Sequence, residues 1–251
     1  MGKTILVLLD ACRFELAGET AGYLEHLIEV SQGAKYCVRG GLPSQSRPMY
    51  ETTMTGLPSS VHGITDNEIV RRSRCENIFS LCRENGLKTA AAAYHWFSEL
   101  YSKAPFCPES DRYQFECQDS LIDYGIFYYD DSYPDSHLYM DAEFLRRTYD
   151  PEFLLIHPMS IDYKGHQYGG DSAQYTFAGV QSFESIAKLL TVWLPAGYNV
   201  IVTADHGMAG SGYHGGNSDM QRLIPLYVFS RQVQCGDFTD QVISQLNTAP
   251  L

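Results

Sequence analysis

The chain has 251 residues, with 18 basic side chains against 30 acidic ones and a formal charge of −12. That length fits one large α/β domain or two small ones, and at 44% hydrophobic and 19% charged the composition is globular rather than disordered. The acidic balance excludes a general binder of nucleic-acid polymer, which needs clustered Lys and Arg, but admits a small phosphorylated ligand where metal ions supply the positive charge.

In chain order, residues 4–9 form a continuous apolar, β-prone run ending at Asp10, the pattern of a strand buried on both faces. Residues 14–30 predict a helix with Leu16, Tyr23, Leu24, Leu27 and Ile28 on one side. A second helix runs from about Ser46 to Met54 and closes at Gly56. A third fits 75–85 and is followed by a small-residue strand at 88–94. A strand at 153–158 precedes a helix over 172–194, where Phe177, Val180, Phe183, Ile186, Leu190 and Trp193 recur at helical spacing. Strands at 198–204 and 224–229 complete the pattern. Strands alternating with helices predict a three-layer α/β/α fold with a largely parallel central sheet. Residues 95–150, rich in Tyr, Asp and Pro with a modest helix at 137–147, interrupt the alternation. They are expected to form a cap or insertion on a single catalytic domain spanning 1–251.

No apolar run approaches the roughly 20 residues of a membrane-spanning helix. The N-terminal apolar stretch is too short for a signal peptide and lacks a small-residue cleavage site. Seven scattered cysteines with no C-x-x-C pair suit reduced thiols. Together these predict a cytoplasmic protein without a membrane partner.

In an open parallel sheet, ligands gather beyond the carboxyl ends of the strands. Asp10 follows the first strand, Asp162 and His166 follow the 153–158 strand, and Asp205 and His206 follow the 198–204 strand, with His214 a few residues on. Three aspartates and three histidines so placed are the ligand types of divalent cations, and six such ligands suit two sites better than one. Each has a plainer reading: Asp10 as a helix cap, Asp162 and His166 as a surface pair one helical turn apart, His214 as a residue of a glycine-rich loop. Near such cations a nucleophile is expected. Ser44 and Ser46 both stand where a helix N-terminus favours anionic oxygens, and either can equally be a cap.

The chain resembles the alkaline phosphatase superfamily, in its nucleotide pyrophosphatase/phosphodiesterase branch, across nearly its whole length. Leu-Leu-Asp10-Ala-Cys-Arg13 is similar to the branch's L-D-G-x-R, with Ala in place of Gly. Pro43-Ser-Gln-Ser46-Arg-Pro48 followed by Thr55-Gly-Leu-Pro58 resembles P-S/T-x-T-x-P and T-G-x-x-P. His62-Gly-Ile-Thr-Asp-Asn67, Asp162-Tyr-Lys-Gly-His166 and Asp205-His206-Gly-Met208 follow in the family order.

This resemblance selects Ser46 over Ser44 as nucleophile and gives Asn67 the task of holding a phosphate oxygen. It implies one cation held by Asp162, His166 and His214 and a second held by Asp10, Ser46, Asp205 and His206, both zinc or else manganese. The implied activity is hydrolysis of phosphodiester or pyrophosphate bonds in a small phosphorylated substrate through a Ser46 intermediate. A phosphomonoesterase, a phosphonate hydrolase and a non-catalytic metal-binding pseudoenzyme are the alternatives. Arg47 is placed either to bind phosphate or to form a salt bridge, and Tyr124, Tyr128, Tyr129 and Tyr133 either to stack a nucleobase or to pack. The chain departs from the branch at Met49-Tyr50, where Asn-His is usual, and in the short step from His206 to His214. Its last residues, Asn247 to Leu251, resemble the start of a final family helix.

Overall fold

The structure, a computed structural model, describes residues 2–247. The chain opens with β1 (Thr4–Leu9), α1 (Phe14–Thr20), α2 (Gly22–Glu29) and β2 (Ala34–Arg39), followed by α3 (Ser46–Thr55), α4 (Ser59–His62), α5 (Ile78–Glu84) and β3 (Thr89–Tyr94). Then come α6 (His95–Tyr101), α7 (Pro108–Asp111), β4 (Tyr113–Phe115), β5 (Tyr124–Tyr128), α8 (Asp135–Tyr149) and β6 (Phe153–Ile156). The last third holds α9 (Ser160–Tyr168), α10 (Ala173–Trp193), β7 (Asn199–Ala204), α11 (Asp219–Arg222), β8 (Leu223–Phe229), β9 (Gly236–Ser244) and a 3-10 turn at Gln245–Asn247. The final helix expected beyond Asn247 lies outside the described residues.

The strands form one nine-stranded sheet in the order β4-β5-β3-β6-β1-β7-β8-β2-β9. Its centre, β5-β3-β6-β1-β7, is parallel, whereas β8 runs against both β7 and β2, and β4 runs against β5. The expected three-layer α/β/α arrangement is therefore present, with a mostly rather than wholly parallel sheet. Period-two alternation along β1 assigns its side chains to the two layers. Ile5, Val7 and Leu9 enter a core built with α1, α2, α8 and α10, while Leu6 and Leu8 enter a second core with α3, α5 and α6. The run of four alanines in β3 is fully buried, so its strand conformation follows from its central place in the sheet rather than from intrinsic β-propensity.

Several local expectations change. The helix expected over 14–30 is two helices meeting at Ala21. On α10 the buried stripe begins with Tyr175, Ala178 and Gly179, and Phe177 faces outward at 60% exposure. The stretch 95–150 supplies two strands absent from the sequence reading, of which β5 pairs in parallel with β3 and joins the sheet proper. Of the four tyrosines singled out in the sequence, three are engaged in packing: Tyr124 stacks on Tyr149 at 3.8 Å and Tyr128 on Tyr133 at 5.2 Å, leaving Tyr129 half exposed. No helix among the described residues is long and apolar enough to cross a membrane.

Candidate active site

The carboxyl ends of β1, β6 and β7 lie side by side, and they bring Asp10, the loop into α9, and the Asp205-His206 pair together. Asp10, Asp205 and His206 are completely buried, and Asp162 and Ser46 nearly so. Two glycines let the chain leave β7 in the required direction. A side chain at Gly207 would meet the Met220 carbonyl oxygen at 2.2 Å, and Gly212, at φ +80°, would press one on the Gly165 carbonyl at 2.8 Å. Ala11, just after Asp10, also has a left-handed φ of 57°. That conformation explains why glycine is the family's usual residue there.

The polar atoms form an outer and a deep cluster. In the outer one, Asp162 Oδ1 lies 3.3 Å from His166 Nε2 and 3.7 Å from His214 Nε2, and the two imidazole nitrogens are 3.1 Å apart. In the deep one, His206 Nε2 lies 3.2 Å from Asp205 Oδ2, 3.6 Å from Asp10 Oδ1 and 3.1 Å from Ser46 Oγ. His206 borders both, since its ligand atom falls within 4.8 Å of Asp162 and His214 as well as of Asp10 and Asp205.

All three imidazoles have Nδ1 within hydrogen-bond distance of a backbone carbonyl: His166 to Gly212 at 2.9 Å, His206 to Gly207 at 3.0 Å, His214 to Ser44 at 3.0 Å. A carbonyl can only accept, so Nδ1 carries the proton and Nε2 presents its lone pair inward in the neutral ring. Each carboxylate also retains one buried oxygen without a hydrogen-bond partner: Asp10 Oδ1, Asp162 Oδ1 and Asp205 Oδ2. The second oxygen of Asp205 is occupied by the Ala11 and His206 N–H groups, at 3.1 and 2.8 Å. Inward lone pairs and unpartnered carboxylate oxygens at this density repel one another unless cations sit among them, so the residues present fit divalent metal ions.

The titration tendencies agree for His206 and the carboxylates, whereas the His166 ring without a cation is favoured in its protonated form beside Asp162. Burial pushes the Asp205 carboxyl well above the usual carboxylate range, with Asp10 adding to it, and Asp162 rises for the same reasons. Burial would raise Asp10 too, but His157, His206 and Tyr50 outweigh it and hold that carboxyl down to about 2. Burial, with His214 beside it, takes the His206 imidazole down to about 3, whereas the Asp162 carboxylate raises His166 to about 9. A protein that keeps one carboxylate charged in so dry a place, beside two others, favours a positively charged guest.

Ser46 opens α3. Gln45, the residue before it, makes no side-chain cap, and Asn67 takes over by accepting the Arg47 N–H through Oδ1 at 3.0 Å. The Arg47 N–H is thereby used, and Pro48 offers none. What remains at the helix start is the Ser46 N–H and the amide nitrogen of Asn67, which must turn away from the donor its oxygen accepts. Ser44 points elsewhere, donating to the Gly216 carbonyl at 2.7 Å and accepting the Gly215 N–H. Arg47 forms a buried ion pair with Glu99 at 2.7 Å and lies 4.5 Å over the Trp96 ring, taking the salt-bridge alternative.

Two residues beside the site escaped the sequence reading. Tyr50 donates to Asp10 Oδ2 at 2.5 Å, and His157, which was not among the candidate residues, brings Nε2 to 3.2 Å from the same oxygen. Both carried a signal. Tyr50 is one helical turn beyond Ser46 on the same face, and His157 follows β6 just as Asp10 follows β1.

Comparison with known proteins places this geometry. Residues 4–226 match the family model for type I phosphodiesterase/nucleotide pyrophosphatase. A human curated relative, the catalytic subunit of GPI ethanolamine phosphate transferase 3, is 21% identical over 252 residues, covering 91% of this chain but 22% of its own length. Among solved structures, murine ectonucleotide pyrophosphatase/phosphodiesterase 5 superposes with a TM-score of 0.64 at 18% identity, over 82% of this chain and 57% of that one. Phosphonoacetate hydrolase from Sinorhizobium meliloti 1021, in complex with phosphonoformate, gives 0.58 at 19% identity, over 82% and 56%. The chain thus spans little more than half the length of these structures and about a fifth of the human relative.

Proposed function

This chain belongs to the type I phosphodiesterase/nucleotide pyrophosphatase family, and we propose on that premise that it hydrolyses phosphate esters of small molecules, the phosphodiester or pyrophosphate bonds of nucleotides among them, with Ser46 as nucleophile and two divalent cations. The observation that carries the proposal is the convergence of three imidazole Nε2 atoms, each ring tied through Nδ1 to a carbonyl, on three carboxylates with an unpartnered oxygen apiece. Asp162, His166 and His214 would hold one cation, and Asp10, Ser46, Asp205 and His206 the other. Such nitrogen and oxygen donors suit zinc, with manganese the next choice. When bound, the cations supply the charge that acidifies a hydroxyl or water and offsets that of phosphate.

Ser46 Oγ, freed of its proton, attacks phosphorus opposite the leaving group. The bond from phosphorus to the leaving oxygen breaks, and that oxygen takes a proton from solvent. The Asn67 amide and the Ser46 N–H bind the charge on a non-bridging oxygen. Water then attacks phosphorus on the vacated side, and the phosphorus–Oγ bond breaks to restore Ser46. The pairing of Arg47 with Glu99 supports a diester over a doubly charged monoester, because this buried guanidinium is already held by a carboxylate.

Turnover of bis-p-nitrophenyl phosphate with added zinc or manganese tests the assignment. Ser46→Ala is expected to lose about 10³-fold or more in kcat, and equal rates in the two proteins would overturn it. Phosphonate cleavage is the second reading, in view of the similarity to a phosphonoacetate hydrolase; a kcat/KM for phosphonoacetate above that for the diester would put it first.

A further inference from the structure

We infer that Tyr50 and His157 are positioning residues that clamp one oxygen of Asp10 and so fix the other toward the deep cation, an inference that rests on the two-cation reading above. The two oxygens of Asp10 have opposite surroundings. Oδ2 accepts the Tyr50 hydroxyl at 2.5 Å and lies 3.2 Å from His157 Nε2, an ion-pair contact rather than a hydrogen bond, whereas Oδ1 has no hydrogen-bond partner and lies 3.6 Å from His206 Nε2. Turning the carboxylate about its Cβ–Cγ bond would break the Tyr50 bond and leave a buried hydroxyl unsatisfied, which is costly where no water reaches. Asp10, Tyr50 and His157 are all 0% exposed. Asp10 is thus prepared to give a single oxygen to a cation.

The clamp is itself held. The Tyr50 ring stacks on Phe97 with centroids 4.4 Å apart, and His157 meets Tyr50 edge-on at 4.7 Å and Phe97 at 5.0 Å. On its far side, the Tyr128 hydroxyl donates to the His157 carbonyl at 2.8 Å and lies 3.3 Å from Nδ1. Four elements besides β1 therefore converge on one carboxylate: α3, α6, the end of β5 and the turn after β6. In the outer cluster His166 and His214, like His206, are oriented by backbone carbonyls, those of Gly212 and Ser44.

The difference between the clusters defines the test. Zinc is titrated into the metal-free full chain in competition with a chromophoric chelator, for wild type, Tyr50→Phe and His157→Gln. The expected result is two zinc ions per wild-type chain and, in each variant, one of the two weakened about 10–100-fold while the other is unchanged. Unchanged affinity for both ions in Tyr50→Phe and His157→Gln would overturn the clamp, as would equal weakening of both, the mark of a merely structural role. Failure of wild type to bind zinc would instead remove the two-cation reading, and the clamp with it. Tyr50→Phe keeps the ring and its packing, so it decides the question even where His157→Gln does not fold.

Discussion

The two clusters use the same residue types in different surroundings. The deep one, Asp10, Asp205 and His206 with Ser46, sits at the ends of two neighbouring central strands, is dry, and is backed by the side chains of Tyr50 and His157. The outer one, Asp162, His166 and His214, is carried by the short helix α9 and a glycine-containing loop; the His166 side chain is 43% exposed, and its support comes from backbone carbonyls. Electrostatic interactions are strong where water is absent and weak where it is present. The deep half is therefore expected to fix a cation and the nucleophile rigidly, and the outer half to exchange its cation and admit water.

The largest expected effect lies in the deep half. Asp10→Ala removes a buried carboxylate of the proposed deep site, so kcat/KM for a diester should fall by about 10³-fold or more, with no recovery as zinc is raised. His166→Ala, in the outer half, should cost about 10–100-fold and recover substantially in excess zinc, since the other two ligands remain; activity measured across a zinc series separates the two behaviours. Recovery of Asp10→Ala by zinc would erase the distinction between the halves.

Stability should move in the opposite sense to activity. Asp205→Asn keeps an oxygen for the Ala11 and His206 N–H groups and removes a buried negative charge beside Asp10. In chelator it should stabilise the protein by about 1 kcal/mol or more, raising Tm by about 2–4 °C per kcal/mol, while abolishing turnover. The smallest effect is expected at Ala11. Its φ of 57° suits glycine, so Ala11→Gly should raise Tm by up to about 3 °C and leave zinc stoichiometry unchanged.

The same contrast describes how much was legible in the sequence. Strands β1, β3, β6, β7 and β8 announce themselves as apolar or small-residue runs because they are covered on both faces. Strand β2 is interrupted by Lys35 and Arg39, and the edge strand β9 is mostly polar and half exposed; their pairing is imposed by the sheet rather than by their own pattern. Asp10, Asp162, Asp205 and His206 were singled out because ligands gather beyond the strand ends of an open parallel sheet, and the fold brings these four together. Tyr50 and His157 were passed over because their contacts are with the side chain of Asp10, and only the packing of α3 and β6 against β1 brings them within reach of it. For the tyrosines of 95–150, which the sequence left open to stack a nucleobase or to pack, Tyr124 and Tyr128 take the packing alternative.

Anomalous diffraction at the zinc edge from crystals soaked in zinc tests the central claim most directly. The account predicts two peaks, one enclosed by Asp10, Ser46, Asp205 and His206 and the other by Asp162, His166 and His214. No peak at either cluster, or a single ion bound elsewhere on the chain, would contradict it.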